Sequence, residues 1–319
     1  MKISDLGGEF ALIKRITRDK YLPEKVIKGI GDDCAVLKLT DTMYQLVTTD
    51  MMVENDHFNL AWHTPYQVGW KLMESNVSDI VCKGGVPEFA FLSMSLKKDT
   101  TVEFMDQFYN GLYASAEKHE VYLTGGDTTH GTEYVFNLTL TGYVDRTGLR
   151  LRSMARVGDL ICVTGKLGGS TAGLKLLIKN LDGYLQKHLE PEARTVEEGR
   201  IIAAFAHAMI DVSDGLGSEV THICRESGVG AEIDYEAIPL SEETCRSAAL
   251  LGTDPHDFAL YGGEDYEIVF TIAQEQIPAL KQQFSDFTVV GSILDRTSGI
   301  FLVHDGKKME LKKGYDHFS

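Results

Sequence analysis

Acidic residues punctuate this chain at one kind of place, the end of an apolar run, beside glycine or a hydroxyl residue. The instances are Gly31-Asp32-Asp33, Thr48-Thr49-Asp50, Ser78-Asp79, Gly125-Gly126-Asp127-Thr128-Thr129, Asp211-Val212-Ser213-Asp214-Gly215 and Gly262-Gly263-Glu264-Asp265. Any one of them has an ordinary explanation, because Asp beside Gly makes turns and Asp or Ser before an apolar helical run makes an N-cap. Six together point further. Mg²⁺ takes oxygen ligands from one or two carboxylates per ion, completed by water and substrate phosphates. A chain that places several such ions on a polyphosphate needs carboxylates from several segments. It also needs glycines beside them, so that backbone can approach phosphate closely.

The 319 residues carry a net charge of −16, with 43% hydrophobic and 24% charged residues. That length exceeds the usual single-domain size, so two domains are expected, and the composition suits a packed core. The acidic balance argues against nucleic-acid binding, which needs a basic footprint. The five cysteines (Cys34, Cys82, Cys162, Cys224, Cys245) form no C-x-x-C pair. They fit reduced, mostly buried thiols rather than a disulfide framework or a zinc site. No window approaches ~18 uninterrupted apolar residues and the N-terminus lacks an apolar signal core, so no membrane span is expected. The cytoplasm is the expected compartment.

Residues 8–19 read as a short amphipathic helix with Phe10, Leu12, Ile13 and Ile16 on one side. Segments 34–39 and 44–49 are strand-like. Thr64-Pro65 has helix-start chemistry, and Val68, Leu72, Val77, Ile80 and Val81 keep helical spacing until Gly84-Gly85. Segment 89–96 alternates as a strand, and Thr100-x-x-Glu103 is a capping box for a helix to about residue 119. Segment 121–124 reads as a short strand ending at Gly125-Gly126-Asp127, and 134–144 as a long alternating strand. A boundary is expected near 148–157. Beyond it come a strand at 160–164, helices at about 169–180, 196–209, 216–227 and 241–251, and strands at about 266–272, 287–293 and 300–303. The expected class is α+β in two domains. Residues 1–150 form a mixed α/β domain, and residues 151–319 an α+β domain with a sheet flanked by helices.

Familiar nucleotide motifs are missing. Gly165-Lys166-Leu167 lacks the glycine spacing and the Ser/Thr of a P-loop, and no H-R-D with a later D-F-G occurs. Asp211-x-x-Asp214 has the wrong spacing for an aspartyl-phosphate phosphatase loop. Any ATP use therefore relies on another scaffold. The segments GIGDDCAV (29–36), TTDMMVENDHF (48–58), NVSDIVCKGGVP (76–87), GGDTT (125–129), DVSDGL (211–216), YGGEDYE (261–267) and KGYDHF (313–318) resemble, in order and nearly end to end, those of the thiamine-monophosphate kinases. The wider superfamily includes aminoimidazole ribonucleotide synthetase, selenophosphate synthetase and a hydrogenase-maturation dehydratase. Its members use ATP without a P-loop and share the acidic and glycine-rich signatures more loosely.

The resemblance implies Mg²⁺ ligands at Asp33, Thr48, Thr49, Asp50, Asp79, Asp127, Asp211 and Asp214, with several ions per site. Asp32 is a weaker candidate than Asp33, because only one of the pair matches the family ligand. Nucleotide contacts are implied at Gly126, Asp127, Ser213 and Arg152; Tyr109 is a further candidate whose segment no motif defines. Contacts to thiamine monophosphate are implied at His57, Glu264 and Tyr315. The implied reaction is direct transfer from ATP to thiamine monophosphate without a catalytic base. The implied assembly is a homodimer whose N-terminal sheets pair, with the nucleotide site near that interface.

The residues by themselves carry plainer readings. His57 beside Phe58 reads as a packed histidine, Arg152 belongs to a basic cluster with Arg150 and Arg156, and Tyr315 lies in a C-terminal tail. A guanidinium nevertheless matches phosphate bidentately, and an aromatic tail that folds back suits a thiazolium or pyrimidine ring. Cys82, among apolar neighbours, reads as a buried thiol. Two alternatives stay open: another ATP-using enzyme of the aminoimidazole ribonucleotide synthetase kind, and a non-catalytic sensor of nucleotide or thiamine phosphate.

Overall fold

Long runs of alternating burial build the first of two sheets in the computed structural model, which describes residues 3–6, 8–17 and 22–311. Its strands are β1 (Val26–Lys28), β2 (Ala35–Lys38), β3 (Met43–Val53), β4 (Val86–Leu96), β5 (Tyr122–His130) and β6 (Val135–Asp145), in the order β1-β2-β3-β6-β4-β5. β3 and β6 pair antiparallel along their full lengths, with Met43 opposite Asp145 and Val53 opposite Val135. Phe136, Leu138, Leu140 and Val144 of β6 turn to the core while their neighbours do not, the period of two that pins register. Helices α1 (Ile3–Leu6) and α2 (Glu9–Ile16) precede this sheet. α3 (Pro65–Val81) packs on β3 and β6, and α4 (Val102–Lys118) packs on α3.

α3 begins where Thr64 and Gln67 form a reciprocal capping box with Pro65 at the first helical position. It then buries Val68, Leu72, Met73, Val77 and Ile80. It meets α4 at glycines. A Cβ on Gly69 would stand 2.1 Å from the Phe108 carbonyl oxygen, and one on Gly111 would stand 1.8 Å from that of Tyr66. Backbone therefore touches backbone at this crossing.

The second sheet holds β7 (Leu160–Thr164), β8 (Met209–Asp211), β9 (Gly230–Asp234), β10 (Ile268–Ile272), β11 (Phe287–Leu294), β12 (Ile300–His304) and β13 (Lys307–Glu310). Their order is β13-β12-β9-β11-β7-β10-β8, antiparallel except where β12 runs parallel to β9. Around it lie α5 (Gly169–Lys179), α6 (Gln186–Leu189), α7 (Val196–Phe205), α8 (Leu216–Ser227), α9 (Glu242–Leu251), α10 (Pro255–Tyr261) and α11 (Ile277–Lys281). The expected α+β class, with sheets flanked by helices, is what the chain adopts. One apolar core runs from α3 and β6 into β7 and β10, joining Leu72 and Phe136 to Cys162 and Phe270. Among the described residues no helix is long and apolar enough to cross a membrane.

Several local expectations need correction. Thr101, not Thr100, caps α4: its hydroxyl accepts from Phe104 N–H, while the Thr100 hydroxyl donates to the Lys97 carbonyl. The strand at 121–124 does not stop at Gly125-Gly126-Asp127. β5 continues through them to His130, parallel to β4, because a glycine at 126 lets the strand pass the Leu92 carbonyl, which a Cβ would approach to 1.8 Å. The helix at 196–209 ends at Phe205, where Ala206 turns extended, and Met209–Asp211 becomes β8 against β10. β1, β9 and β13, of three to five residues, lie in segments where no strand is expected. The helix expected at 8–19 is seen as α2, Glu9–Ile16, and residues 18–19 lie outside the described residues.

In an open helix a Gly→Ala change gains about 1 kcal/mol. At Gly111 the backbone contact reverses the sign, and Gly111→Ala should lose about 1–3 kcal/mol of unfolding free energy in urea titrations. A variant as stable as the parent would refute the close crossing.

Candidate active site

A cavity of about 980 Å³ is lined by residues from both halves of the chain. Three kinds of element feed it. The loop before β2 brings Asp32 and Asp33, β3 brings Thr48, Thr49 and Asp50, and α3 brings Ser75 and Asp79. From the second half, β8 ends at Asp211, and the turn into α8 carries Ser213 and Asp214. Gly215 closes that turn at φ +98°, a region open to glycine, where a Cβ would stand 2.7 Å from the Leu260 carbonyl.

The segment after α10 runs alongside this turn. Glu264 N–H donates to the Ser213 carbonyl and Tyr266 N–H to the Val212 carbonyl, both at 3.0 Å, and Val212 N–H donates to the Glu267 carbonyl at 2.8 Å. Glu264 and Tyr266 hold φ of +63° and +50°, a left-handed backbone that costs of order 1–3 kcal/mol per non-glycine residue. Asp265, between them, points away and accepts from Gly168 N–H and Ser170 N–H at the start of α5.

The charges divide into two groups. Lys83 is wholly buried, its Nζ 2.8 Å from Asp32 Oδ1, 2.5 Å from Asp33 Oδ2 and 2.6 Å from the Met209 carbonyl. Arg152 pairs with Asp33 through its guanidinium and donates its backbone N–H to Asp32 Oδ2. Burial alone would raise the Asp33 carboxyl, but Arg152 and Lys83 outweigh it and hold the group well below the usual carboxylate range. Glu264 pairs with Lys71, whereas among the described residues no ion pair holds Asp50, Asp79 or Asp211. Asp79 is pushed far up by burial and by the charges of Asp50, Asp211 and Asp33. Asp50 is raised by burial, with Asp33 and Glu264 adding to it against the Ser75 hydroxyl. Asp211 rises to about 7 through burial and Asp33, although the Ser78 hydroxyl donates to it at 2.7 Å.

This donor set fits a hard divalent cation. The available atoms are carboxylate and hydroxyl oxygens, with Thr48 hydrogen-bonded to Asp79, and the carboxylates repel one another until positive charge arrives. Among the described residues the sulfur grouped with Asp33 and Asp211 is that of Cys82, a thiol whose titration burial pushes well up. Its S–H faces the Asp79 carbonyl at 3.2 Å and Asp33 Oδ2 at 3.3 Å, so it remains a buried, protonated thiol rather than a soft ligand.

The cavity thus gathers Asp33, Thr48, Thr49, Asp50, Asp79, Asp211 and Asp214 with Arg152, Ser213, His57 and Glu264. Asp32 also lines it; its oxygens accept from Lys83, Asp33 N–H and Arg152 N–H, as those of Asp33 are held by Lys83 and Arg152. His57 is about a quarter exposed and accepts from Val53 N–H at Nδ1, so it is not a packed core histidine. Gly126 and Asp127 are not brought to the cavity; they lie exposed on β5 at the edge of the first sheet. Tyr109 sits on α4 against Phe108 and Tyr113, and Tyr315 lies outside the described residues. Sequence reasoning missed Lys83 and Lys71, both 0% exposed, and Glu219, which lies under the 213–214 turn and accepts from Asp214 N–H. One signal was available: Lys71, Ser75 and Asp79 recur every four residues on a helix already marked by Asp79.

An ion present at about 100 times its Kd stabilises a folded protein by about 2.7 kcal/mol. Mg²⁺ should therefore raise the melting temperature of this protein, and Asp79→Asn should lose that rise. In chelator the Asn variant should melt at or above the parent, since it removes one of several like charges. A lower melting point in chelator would show that Asp79 is structural.

Residues 31–144 match the family described as AIR synthase related protein, N-terminal domain, and residues 156–304 match the C-terminal domain of the same family. The chain is 37% identical over 326 residues to the thiamine-monophosphate kinase of Aquifex aeolicus, covering 100% of both. It is 34% identical to that of Bacillus subtilis, covering 97% of this chain and 99% of the relative. A solved structure described as AaThiL complexed with AMPPCP and TMP aligns with a TM-score of 0.86 at 36% identity, over 99% of each chain. The chain belongs to the AIR synthase related family and, within it, to the thiamine-monophosphate kinases.

Proposed function

We propose that this kinase transfers the γ-phosphoryl group of ATP to thiamine monophosphate, giving ADP and thiamine diphosphate. The observation that carries the reading is the meeting of Asp33, Asp50, Asp79 and Asp211, from four separate segments, in one cavity with His57 and Glu264. It is supported by relatives named for this activity and by a similar structure whose ligands are AMPPCP and TMP, which we read as an ATP analogue and thiamine monophosphate.

The acceptor oxygen belongs to a phosphate whose second pKa of about 6 leaves it largely deprotonated at neutral pH, so no general base is needed. The remaining problem is to bring two anions together in line. Mg²⁺, several ions per site, would neutralise charge on the phosphates, and Asp33, Thr48, Thr49, Asp50, Asp79, Asp127, Asp211 and Asp214 are the residues that would hold it. Ser213 and Arg152, with Gly126, Asp127 and Tyr109, are the proposed nucleotide contacts. His57, Glu264 and Tyr315 are proposed to orient the acceptor. Transfer is direct, with no phosphorylated side chain.

Residues 1–150 are proposed as the ATP- and Mg²⁺-binding and dimerisation domain and 151–319 as the α+β domain that completes the site. The first sheet leaves β5 as an edge and exposes Met51, Phe89, Phe91 and Tyr122, a surface suited to a second copy of this chain. Such pairing would bring Gly126 and Asp127 to an interface. The cytoplasm, where ATP is supplied, is the proposed place of work.

Chromatography of a mixture of protein, Mg²⁺, ATP and thiamine monophosphate should show ADP and thiamine diphosphate in equal amounts, and neither product without the metal. Asp50→Asn should lower kcat/KM at least about a hundredfold. Release of ADP without thiamine diphosphate, or no turnover at all, overturns the reading. In sedimentation, Phe91→Lys should shift the protein from dimer to monomer; a parent that already runs as a monomer ends the assembly proposal.

A further inference from the structure

Lys71 belongs to no recognised motif and occupies a poor place for a cation, the wholly enclosed face of α3. Its Nζ lies 2.7 Å from Glu264 Oε1, 2.7 Å from Glu264 Oε2 and 3.2 Å from the His57 carbonyl oxygen. The three N–H donors of the ammonium group thus meet three acceptors. Two of the three belong to the side chain, and one to the backbone, of the two described residues proposed above to orient the acceptor. His188 Nδ1 stands 3.4 Å from Glu264 Oε2. Burial and the charge of Lys71 push that imidazole far down, so it stays neutral. Lys71 is then the cation facing Glu264 among the described residues.

A purely structural ion pair explains little here, because apolar residues of equal volume often replace a buried pair without loss. The placement says more. Lys71 and Asp79 share one face of α3, two helical turns apart, so one rigid element sets a carboxylate for the phosphates and, through Lys71, a carboxylate for the acceptor. We infer that Lys71 is a positioning residue for the phosphate acceptor: it holds both carboxylate oxygens of Glu264, fixing its rotamer, and ties the His57 loop to the same ammonium group. This inference rests on the transfer to thiamine monophosphate proposed above.

Steady-state kinetics on the full-length enzyme test it. Lys71→Met, close in volume, should raise KM for thiamine monophosphate about 10–100-fold while KM for ATP stays within about twofold. In a Glu264→Gln background the same substitution should add less than about threefold, because the carboxylate it holds is gone. Equal rises in both KM values with a lower melting temperature, or factors that multiply in the double variant, overturn the inference. Where Lys71→Met is too unstable to assay, Lys71→Gln is measured against the same outcomes. A parent enzyme that ignores thiamine monophosphate counts against the reaction itself; a working parent with an unchanged KM in Lys71→Met counts against Lys71 alone.

Discussion

Helix α3 is buried on nearly every side, yet it carries Lys71, Glu74, Asn76, Ser75 and Ser78, and Lys83 follows just beyond its end. A buried charge without a partner costs several kcal/mol, so Lys71, Glu74 and Lys83 dictate what must stand opposite. Lys71 requires Glu264, Ser78 donates to Asp211, and Lys83 requires Asp32 and Asp33. Glu74 accepts from Ser115 and from Ala193 N–H and lies against His119; despite burial, His119 and Lys118 hold its carboxyl below the ordinary range. The partners come from β2's approach, α4, the segment before α7, β8 and the turn after α10. A slip of either sheet along α3 would strand several of them at once. The helix therefore sets the register in which the two halves meet, and the cavity is a consequence of that register.

Within the cavity the protein supplies cations to only part of its own negative charge. Asp32 and Asp33 are neutralised internally by Lys83 and Arg152. Asp50, Asp79 and Asp211 are left raised by burial and by the carboxylates around them, Asp33 among those acting on all three. The first pair anchors the loop before β2 to β8 through Lys83, which also binds the Met209 carbonyl. The second group is the part of the site that demands charge from outside. Such a division gives a rigid frame and an unfilled electrostatic need side by side, which is what binding a polyphosphate through hard cations requires.

How much of this could be read beforehand follows from the range of each interaction. α8 and β7 appear at the residues where their patterns placed them, and α3, β3 and β6 within a few residues, because periodic burial is a local property. The acidic turns were legible as a set for the same reason. Lys71 and Lys83 were not, since a lysine in an apolar register is ordinarily a solvated or snorkelling side chain, and their burial depends on carboxylates as many as 193 residues away. β5 was cut short because Gly125-Gly126-Asp127 has turn chemistry, whereas the parallel neighbour β4 holds it extended. Residue type alone does not reveal a neighbour contributed by another part of the chain.

The backbone after α10 shows why the two ends of the cavity act as one unit. Glu264 and Tyr266 would relax from their left-handed conformations if they were free to do so. They are held by hydrogen bonds to Val212 and Ser213, by the approach of Gly263 to the Ser213 carbonyl, where a Cβ would stand at 1.8 Å, and by Asp265 capping α5. Three constraints on a five-residue segment over-determine it, so the strain persists. Its effect is mechanical. The turn bearing Ser213 and Asp214 cannot shift without moving Glu264, and Glu264 is fastened to α3, which carries Asp79. The groups proposed for the donor phosphates and for the acceptor are thereby referred to one rigid helix, and the proposed in-line geometry between two repelling anions would then depend on few internal motions.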